Sequence, residues 1–173
     1  MPSLAEGIFS HSITYICEHG ESGAMGIVIN QPLELTVAEI FDHLQIKALK
    51  DFTEVPVLAG GPVQIDHGFV LHRAMAAEWE ASIKVTDEIT LTTSRDVLRA
   101  LANGTGPEEP VIALGYAGWS PGQLEQELAQ NSWLTLPADS EIIFATPCEQ
   151  RLSAAAAQLG IDMNLISGQA GHA

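Results

Sequence analysis

The sequence predicts a single domain of the α+β class. Runs of β-branched and aromatic residues come mostly first, and capped helical segments are inserted between them and at the end. This order differs from the regular strand and helix alternation of a doubly wound fold. The 173 residues are 46% hydrophobic and 17% charged, and a chain of this size can bury about 69% of its unfolded surface. One compact domain over residues 1–173 is therefore predicted.

The first two elements form a predicted β-hairpin. Two strand-like runs, residues 12–17 and 25–30, flank a turn-rich segment with the spacing Gly20-x-x-Gly23-x-x-Gly26. These glycines join two strands and not a strand to a helix, so they indicate a tight turn and not a dinucleotide-binding loop.

A capping box opens the first predicted helix. Thr36 can accept a hydrogen bond from the backbone of Glu39, whose side chain reaches back. Ile40, Phe41 and Leu44 mark its apolar face. Further strands are predicted at residues 55–58, 68–71, 82–85, 89–93, 111–116 and 142–145.

Three more helices are predicted from signals at their N-termini. Ser94 can cap residues 95–102, and Pro121 can occupy the first turn of residues 122–130. Thr146 and Glu149 repeat the capping box before an alanine-rich helix that runs to Leu159. Residues 167–173 are expected to form a flexible tail.

The net charge of −15 disfavours two classes of partner. It comes from 22 acidic against 7 basic residues and is spread evenly along the chain. Such a surface repels phosphate backbones and anionic membranes, so direct nucleic-acid and membrane binding are not expected. No apolar stretch reaches the ~18 residues of a membrane span, and no export signal is recognised. A cytoplasmic protein with two free thiols, Cys17 and Cys148, is expected.

The segment Gly118-Trp119-Ser120-Pro121-Gly122 has the form of a nucleophile elbow. Pro121 argues against that function, because an oxyanion hole needs the backbone N–H of the residue after the nucleophile. The third member of a triad would be His172, in the predicted tail. Ser120 is therefore interpreted as a helix cap, and no catalytic residue is predicted.

The remaining nucleophile and metal candidates have structural interpretations that fit better. Cys148 lies in a helix start, where the helix dipole can activate a thiol, but Glu149 opposes that effect. Cys17 falls on the inner face of a predicted strand. His67 and His72 would face opposite sides of one strand, so they do not form a metal site with Asp66. No metal and no cofactor is predicted.

One region keeps a possible binding role. Gly60 and Gly61, and the segment that holds Tyr116 and Trp119, place open backbone and aromatic faces near strand ends. Packing is the competing interpretation of all four residues.

Several blocks together resemble the bacterial AlgH/YqgE family. They are Tyr15-Ile16-Cys17-Glu18-His19, Gly23-Ala24-Met25-Gly26, Gly60-Gly61-Pro62, Gly68-Phe69-Val70-Leu71-His72, Thr92-Thr93-Ser94-Arg95-Asp96, Ala113-Leu114-Gly115-Tyr116-Ala117-Gly118-Trp119, Gly122-Gln123-Leu124-Glu125, Trp133-Leu134 and Ala170-Gly171-His172-Ala173. The resemblance implies a roughly seven-stranded, largely antiparallel, barrel-like sheet flanked by helices. Members of the family typically have a short apolar strand upstream of the block that begins at Met1, so an exposed sheet edge is expected where that strand would lie.

The resemblance implies no activity, although one branch is named for a regulatory effect on alginate production. The first hypothesis is therefore a non-catalytic regulatory or protein-interaction protein. The alternative is a small-molecule-binding protein or enzyme that uses the loops around Gly60, Gly61, Tyr116 and Trp119. A third hypothesis, direct contact with DNA, is disfavoured by the negative net charge. A protein partner is possible, and its identity and the oligomeric state are left open.

Overall fold

The fold is built on a curled sheet of eight strands, seen in a computed structural model that describes residue 9 and residues 11–163. The strands are β1 (Thr14–Gly20), β2 (Gly23–Val28), β3 (Pro32–Thr36), β4 (Pro56–Ala59), β5 (Val63–Arg73), β6 (Ser82–Lys84), β7 (Ile89–Thr92) and β8 (Val111–Trp119).

The strand order is β1-β2-β8-β5-β7-β6, and β4 pairs with both β3 and β8. Only the β4–β8 pair is parallel among the described strands. The predicted α+β fold with a largely antiparallel sheet is thus confirmed. The strand that the sequence analysis missed is β3, which begins at a proline and is largely exposed. Such a strand is typical of a sheet edge and lacks the buried alternation that would reveal it.

Four α-helices occur in the described part of the chain. They are α1 (Val37–His43), α2 (Asp96–Ala102), α3 (Gln123–Ala129) and α4 (Arg151–Gln158). The capping box of α1 is confirmed, since Glu39 N–H donates to Thr36 Oγ1 and Thr36 N–H donates to Glu39 Oε2, at 3.3 and 2.8 Å.

The predicted caps of the other helices are wrong. Ser94 Oγ accepts from Ala81 N–H at 3.0 Å, so it holds a neighbouring loop and not α2. The residue that caps α3 is Gly122, with φ of +75°, so Ser120 is not the cap and Pro121 lies before the first turn of the helix. Thr146 Oγ1 donates backwards to Glu141 O. The hydroxyl groups of Ser94 and Thr146 thus bond to groups other than the first backbone N–H groups of α2 and α4, so neither caps its helix.

The predicted strand at residues 142–145 is also wrong. Residues Glu141–Ala145 form a π-helix, in which Asp139 Oδ1 accepts from Glu141 N–H at 2.9 Å. Ile142, Ile143 and Phe144 are all buried. A short, fully buried apolar run has the same pattern in a strand and in a helix, so periodicity could not distinguish them.

The sheet has a core on each face, because side chains alternate along β5 and β8. Phe69, Leu71 and Ala113 pack with the π-helix on one face. Val70 and Ile112 pack under α1 and α2 on the other, in the cluster of Val37, Phe41, Val57, Val70, Val97, Leu101, Ala102 and Ile112. Helices α1 and α2 therefore cover the same face of the sheet.

None of the helices within the described residues has the length and apolar character needed to cross a membrane. The predicted tail, residues 167–173, lies outside the described residues.

Candidate functional site

Gly60 and Gly61 lie where the chain after β4 packs directly on β8. Gly60 N–H donates to Leu114 O at 2.8 Å. A β-carbon on Gly61 would lie 2.0 Å from the carbonyl carbon of Tyr116, and one on Gly60 would lie 2.3 Å from Gly115 O. Both glycines therefore permit a close approach of two backbones.

The structure places Tyr116 and Trp119 apart. The Tyr116 ring packs edge-on against Phe69, with centroids 5.6 Å apart. Trp119 lines a largely apolar space of about 220 Å³ between β1, α3 and residues 133–143, called here the tryptophan cavity. Gly60, Gly61 and Tyr116 do not line it. A ligand-binding role for these four residues stays a prediction.

Glu127 holds the two indoles of the tryptophan cavity. Its Oε2 accepts hydrogen bonds from Trp119 Nε1 at 2.9 Å and Trp133 Nε1 at 2.7 Å. Its Oε1 accepts from Gln123 Nε2 at 3.0 Å. Burial raises the pKa of Glu127, but the three hydrogen bonds outweigh burial and hold that pKa below its ordinary value. This arrangement orders the aromatic cluster beside β1.

A larger concave site lies between α1 and α2, over the sheet, and is called here the α1–α2 cleft. Its volume is about 450 Å³. The floor is formed by Val57, Val70, Ile112 and Leu114 from β4, β5 and β8. These strands bring their apolar side chains together because β8 pairs with both β4 and β5. Val57, Val70 and Ile112 are buried, and Leu114 is half-buried.

Polar side chains converge on the rim of the cleft from three separate segments. His43 ends α1, Asp66 and His67 lie on β5, and Ser94 and Arg95 connect β7 to α2. A concave site with an apolar floor and a few polar groups is the usual form of a small-molecule site.

The rim has an uneven distribution of charge. Asp66 Oδ1 is 3.0 Å from His67 Nδ1, and this hydrogen bond lowers the pKa of Asp66. Asp66 is the one carboxylate that lines the described cleft. Arg95 is exposed and makes no ion pair with any described residue. Its guanidinium is thus free to bind an anion.

A buried polar chain supports the wall of the cleft. His72 Nδ1 donates to Arg73 O at 2.8 Å, so Nε2 is the acceptor for Thr92 Oγ1 at 2.9 Å. Thr92 Oγ1 in turn accepts from Ser82 Oγ at 2.8 Å. Burial lowers the pKa of His72, which favours the neutral ring that this chain requires.

The family model described as AlgH-like matches residues 1–164. This chain belongs to the AlgH-like family. A UPF0301 protein of Thioalkalivibrio sulfidiphilus is 56% identical over 173 residues, which are 100% of this chain and 92% of that protein. A UPF0301 protein of Saccharophagus degradans is 55% identical over 173 residues, or 100% of this chain and 85% of that protein.

Solved structures agree with the AlgH-like assignment. The solution structure of the AlgH protein from Pseudomonas aeruginosa is similar to this chain, with a TM-score of 0.80 and 49% identity. The match covers 100% of this chain and 92% of that protein. A protein of Corynebacterium diphtheriae has the same fold at 18% identity, with a TM-score of 0.71 over 91% of this chain and 82% of its own. The resemblance predicted from sequence is confirmed, and the family is uncharacterised.

The nucleophiles considered from the sequence, Cys17, Cys148 and Ser120, do not lie in surroundings that would activate them. Burial raises the pKa of Cys17 to about 12. Burial and Glu149 also raise the pKa of Cys148. Ser120 is exposed, and its N–H donates to Gln123 Oε1. His172 lies outside the described residues. Because their pKa values are raised, Cys17 and Cys148 are both disfavoured as thiolates at neutral pH.

The sequence did not predict the α1–α2 cleft as a site, although some of its residues were considered for other roles. Asp66 and His67 were considered as metal ligands, and Arg95 appeared only within the block Thr92-Thr93-Ser94-Arg95-Asp96. In residues 9 and 11–163 no group of three His, Cys, Asp or Glu side chains could hold a metal ion. No spacing along the chain links His43 to Asp66 or Arg95, because strand pairing brings them together.

Proposed function

We propose that this chain is a non-catalytic regulatory or interaction protein whose effect is controlled by a small molecule bound in the α1–α2 cleft. The observation that carries the proposal is the cleft itself, at about 450 Å³ with a buried apolar floor and a polar rim. Small-molecule sites typically have volumes of roughly 300–1,000 Å³. The tryptophan cavity, at about 220 Å³, is below that range.

The cleft supports binding more directly than the loops around Gly60 and Gly61. Those glycines are in backbone contact with β8, which leaves no space for a ligand between them. The two free thiols, Cys17 and Cys148, fit a reducing cytoplasm. Cell fractionation tests that location.

Gly68 provides a direct test of the cleft. It lines the cleft, and a β-carbon on it would have no heavy atom within 4 Å. Gly68→Leu should therefore fill the cleft with little strain. Gly20 at the end of β1 is equally open and lies outside the cleft, so Gly20→Leu is the matched control.

The assay is a thermal-shift screen of a metabolite library. A ligand at 100 times its Kd should stabilise the folded protein by about 2.7 kcal/mol. We expect hits that stabilise the wild type and Gly20→Leu but not Gly68→Leu. Hits that act equally on all three proteins, or a screen without hits, would contradict a ligand-binding role for the cleft.

The regulatory part of the proposal has its own test. Affinity capture from the native cell extract is repeated with and without a cleft ligand, using the wild type and Gly68→Leu. A partner whose recovery changes with ligand only for the wild type supports regulation. Turnover of the ligand by the purified protein would show an enzyme instead.

A further inference from the structure

We infer that the ligand of the α1–α2 cleft is an amphipathic anion, with a carboxylate or phosphate group held at Arg95 and an apolar body on the apolar side chains that line the cleft. This inference rests on the proposed function and adds the chemical class of the ligand.

The first argument is the state of Arg95. The chain has only 7 basic residues against 22 acidic ones, so an unpaired arginine beside a cavity is notable. Its neighbour Asp96 is engaged elsewhere, since the carboxylate accepts from Glu80 N–H at 2.8 Å and Val97 N–H at 3.0 Å. Guanidinium groups bind carboxylate and phosphate through two parallel hydrogen bonds.

The second argument is the set of donors on the same rim that no protein acceptor occupies. Ser94 is not among them, because its Oγ accepts from Ala81 N–H and its hydroxyl hydrogen-bonds to the Asp96 carboxylate. The N–H of His43 is exposed to solvent, whereas the N–H of His67 is directed at Asp66. Asp66 opposes an anion, but its carboxylate is hydrogen-bonded to His67. The free donors on the rim are therefore the Arg95 guanidinium and the His43 ring N–H.

The third argument concerns the rest of the ligand. Val57, Val70 and Ile112 at the base are already buried. The apolar surface that stays open in the cleft belongs to the half-buried side chains of Ile40, Leu44, Leu98 and Leu114. An inorganic anion alone would leave that surface uncovered, whereas an attached apolar body would bury it favourably. The combination selects an amphipathic molecule.

The test uses three probes that share one body: 4-phenylbutyrate, 4-phenylbutyramide and 4-phenylbutylamine. Binding is measured by titration followed through the backbone amide NMR signals of residues 66–68 and 93–95. Inorganic phosphate is titrated separately to compare the two anionic groups. The variants are Arg95→Met and the control Arg99→Met, an exposed position on α2 that does not line the cleft.

We expect the carboxylate to bind about five- to tenfold more tightly than the amide at low salt, with the amine weakest. Arg95→Met should remove the difference between carboxylate and amide, and Arg99→Met should retain it. Added salt should weaken binding of the carboxylate probe and leave binding of the amide probe unchanged.

The outcomes separate this inference from the proposed function. Equal binding of the carboxylate and the amide in the cleft, or preference for the amine, would overturn the anionic assignment and leave a ligand-binding cleft in place. An anion preference that survives in Arg95→Met would also overturn it. If no probe shifts the signals of the cleft, the inference fails, and the proposed function is then decided by the library screen with Gly68→Leu.

Discussion

Replacing Glu127 tests whether the carboxylate between the two indoles stabilises the fold. The change Glu127→Ala removes the acceptor of Trp119 Nε1 and Trp133 Nε1. Trp119 is only 7% exposed, so its N–H has little access to water once the carboxylate is gone. Trp133 is partly buried and is more easily rehydrated.

The magnitude follows from these two donors. A buried donor left without a partner costs about 1–3 kcal/mol. Taking the full cost for Trp119 and about half of it for Trp133, Glu127→Ala should lower the free energy of unfolding by about 2–4 kcal/mol. For a domain of this size each kcal/mol lowers Tm by roughly 2–4 °C.

Two variants isolate the cause. Glu127→Gln keeps an oxygen for both indoles, because a single atom, Oε2, accepts both bonds. It loses the charge and the bond from Gln123, so about 1 kcal/mol is expected. Glu125→Ala, on the same helix, removes only an exposed contact with His19 and should not change stability measurably.

The assay is urea unfolding followed by tryptophan fluorescence, with Glu127→Ala, Glu127→Gln and Glu125→Ala in parallel. The pKa of Glu127 is lowered in the folded state, so its stabilising effect is present above the unfolded value of 4.5. That effect is lost as pH falls through the folded value, and Glu127→Gln should converge on the wild type there. If Glu127→Ala and Glu125→Ala unfold at the same urea concentration, the indoles do not depend on Glu127.

Three further results are expected. Gly61→Ala should destabilise by more than about 3 kcal/mol in urea unfolding, because its β-carbon would overlap the Tyr116 backbone; stability equal to Gly20→Ala would contradict this. The pKa of His72 is lowered by burial, so the wild type should lose stability as pH falls below 6.5 toward the folded value, by at most about 1.4 kcal/mol per pH unit, and His72→Gln should lack that component. Both thiols have raised pKa values, so titration with a thiol reagent at pH 7 should label Cys148 slowly and Cys17 only on unfolding; rapid labelling of Cys17 would refute its burial.

Local signals in the sequence predicted the elements that local interactions define. The hairpin of β1 and β2 and the capping box at Thr36 and Glu39 are each complete within a short stretch of chain. The caps at Ser94 and Thr146 were wrong because longer-range or backward partners took their hydroxyl groups. A capping residue is thus a reliable signal only when nothing else in the fold competes for it.

The α1–α2 cleft could not be predicted from local sequence signals. The rim combines residue 43, residues 66–67 and residues 94–95, which come together only through the sheet and the two helices on it. Four residues were predicted to bind a ligand, and three of them, Gly60, Gly61 and Tyr116, pack against other parts of the protein instead of lining either cavity. Glycines in contact with a backbone and glycines open to a ligand look identical in a sequence, and only the position of β8 distinguishes them.

The acidic surface and an anion-binding cleft are physically compatible. At physiological ionic strength charges more than about 8 Å apart are largely screened, so a small anion in the cleft senses mainly Arg95, the two histidines and Asp66. Duplex DNA carries one charge per 1.7 Å of its axis and would contact a wide surface of a chain with a net charge of −15. The negative surface therefore repels DNA, which would contact much of it, far more than it repels a small anion in the cleft. The proposed anionic ligand and the prediction of no direct DNA contact are therefore compatible with the same distribution of charge.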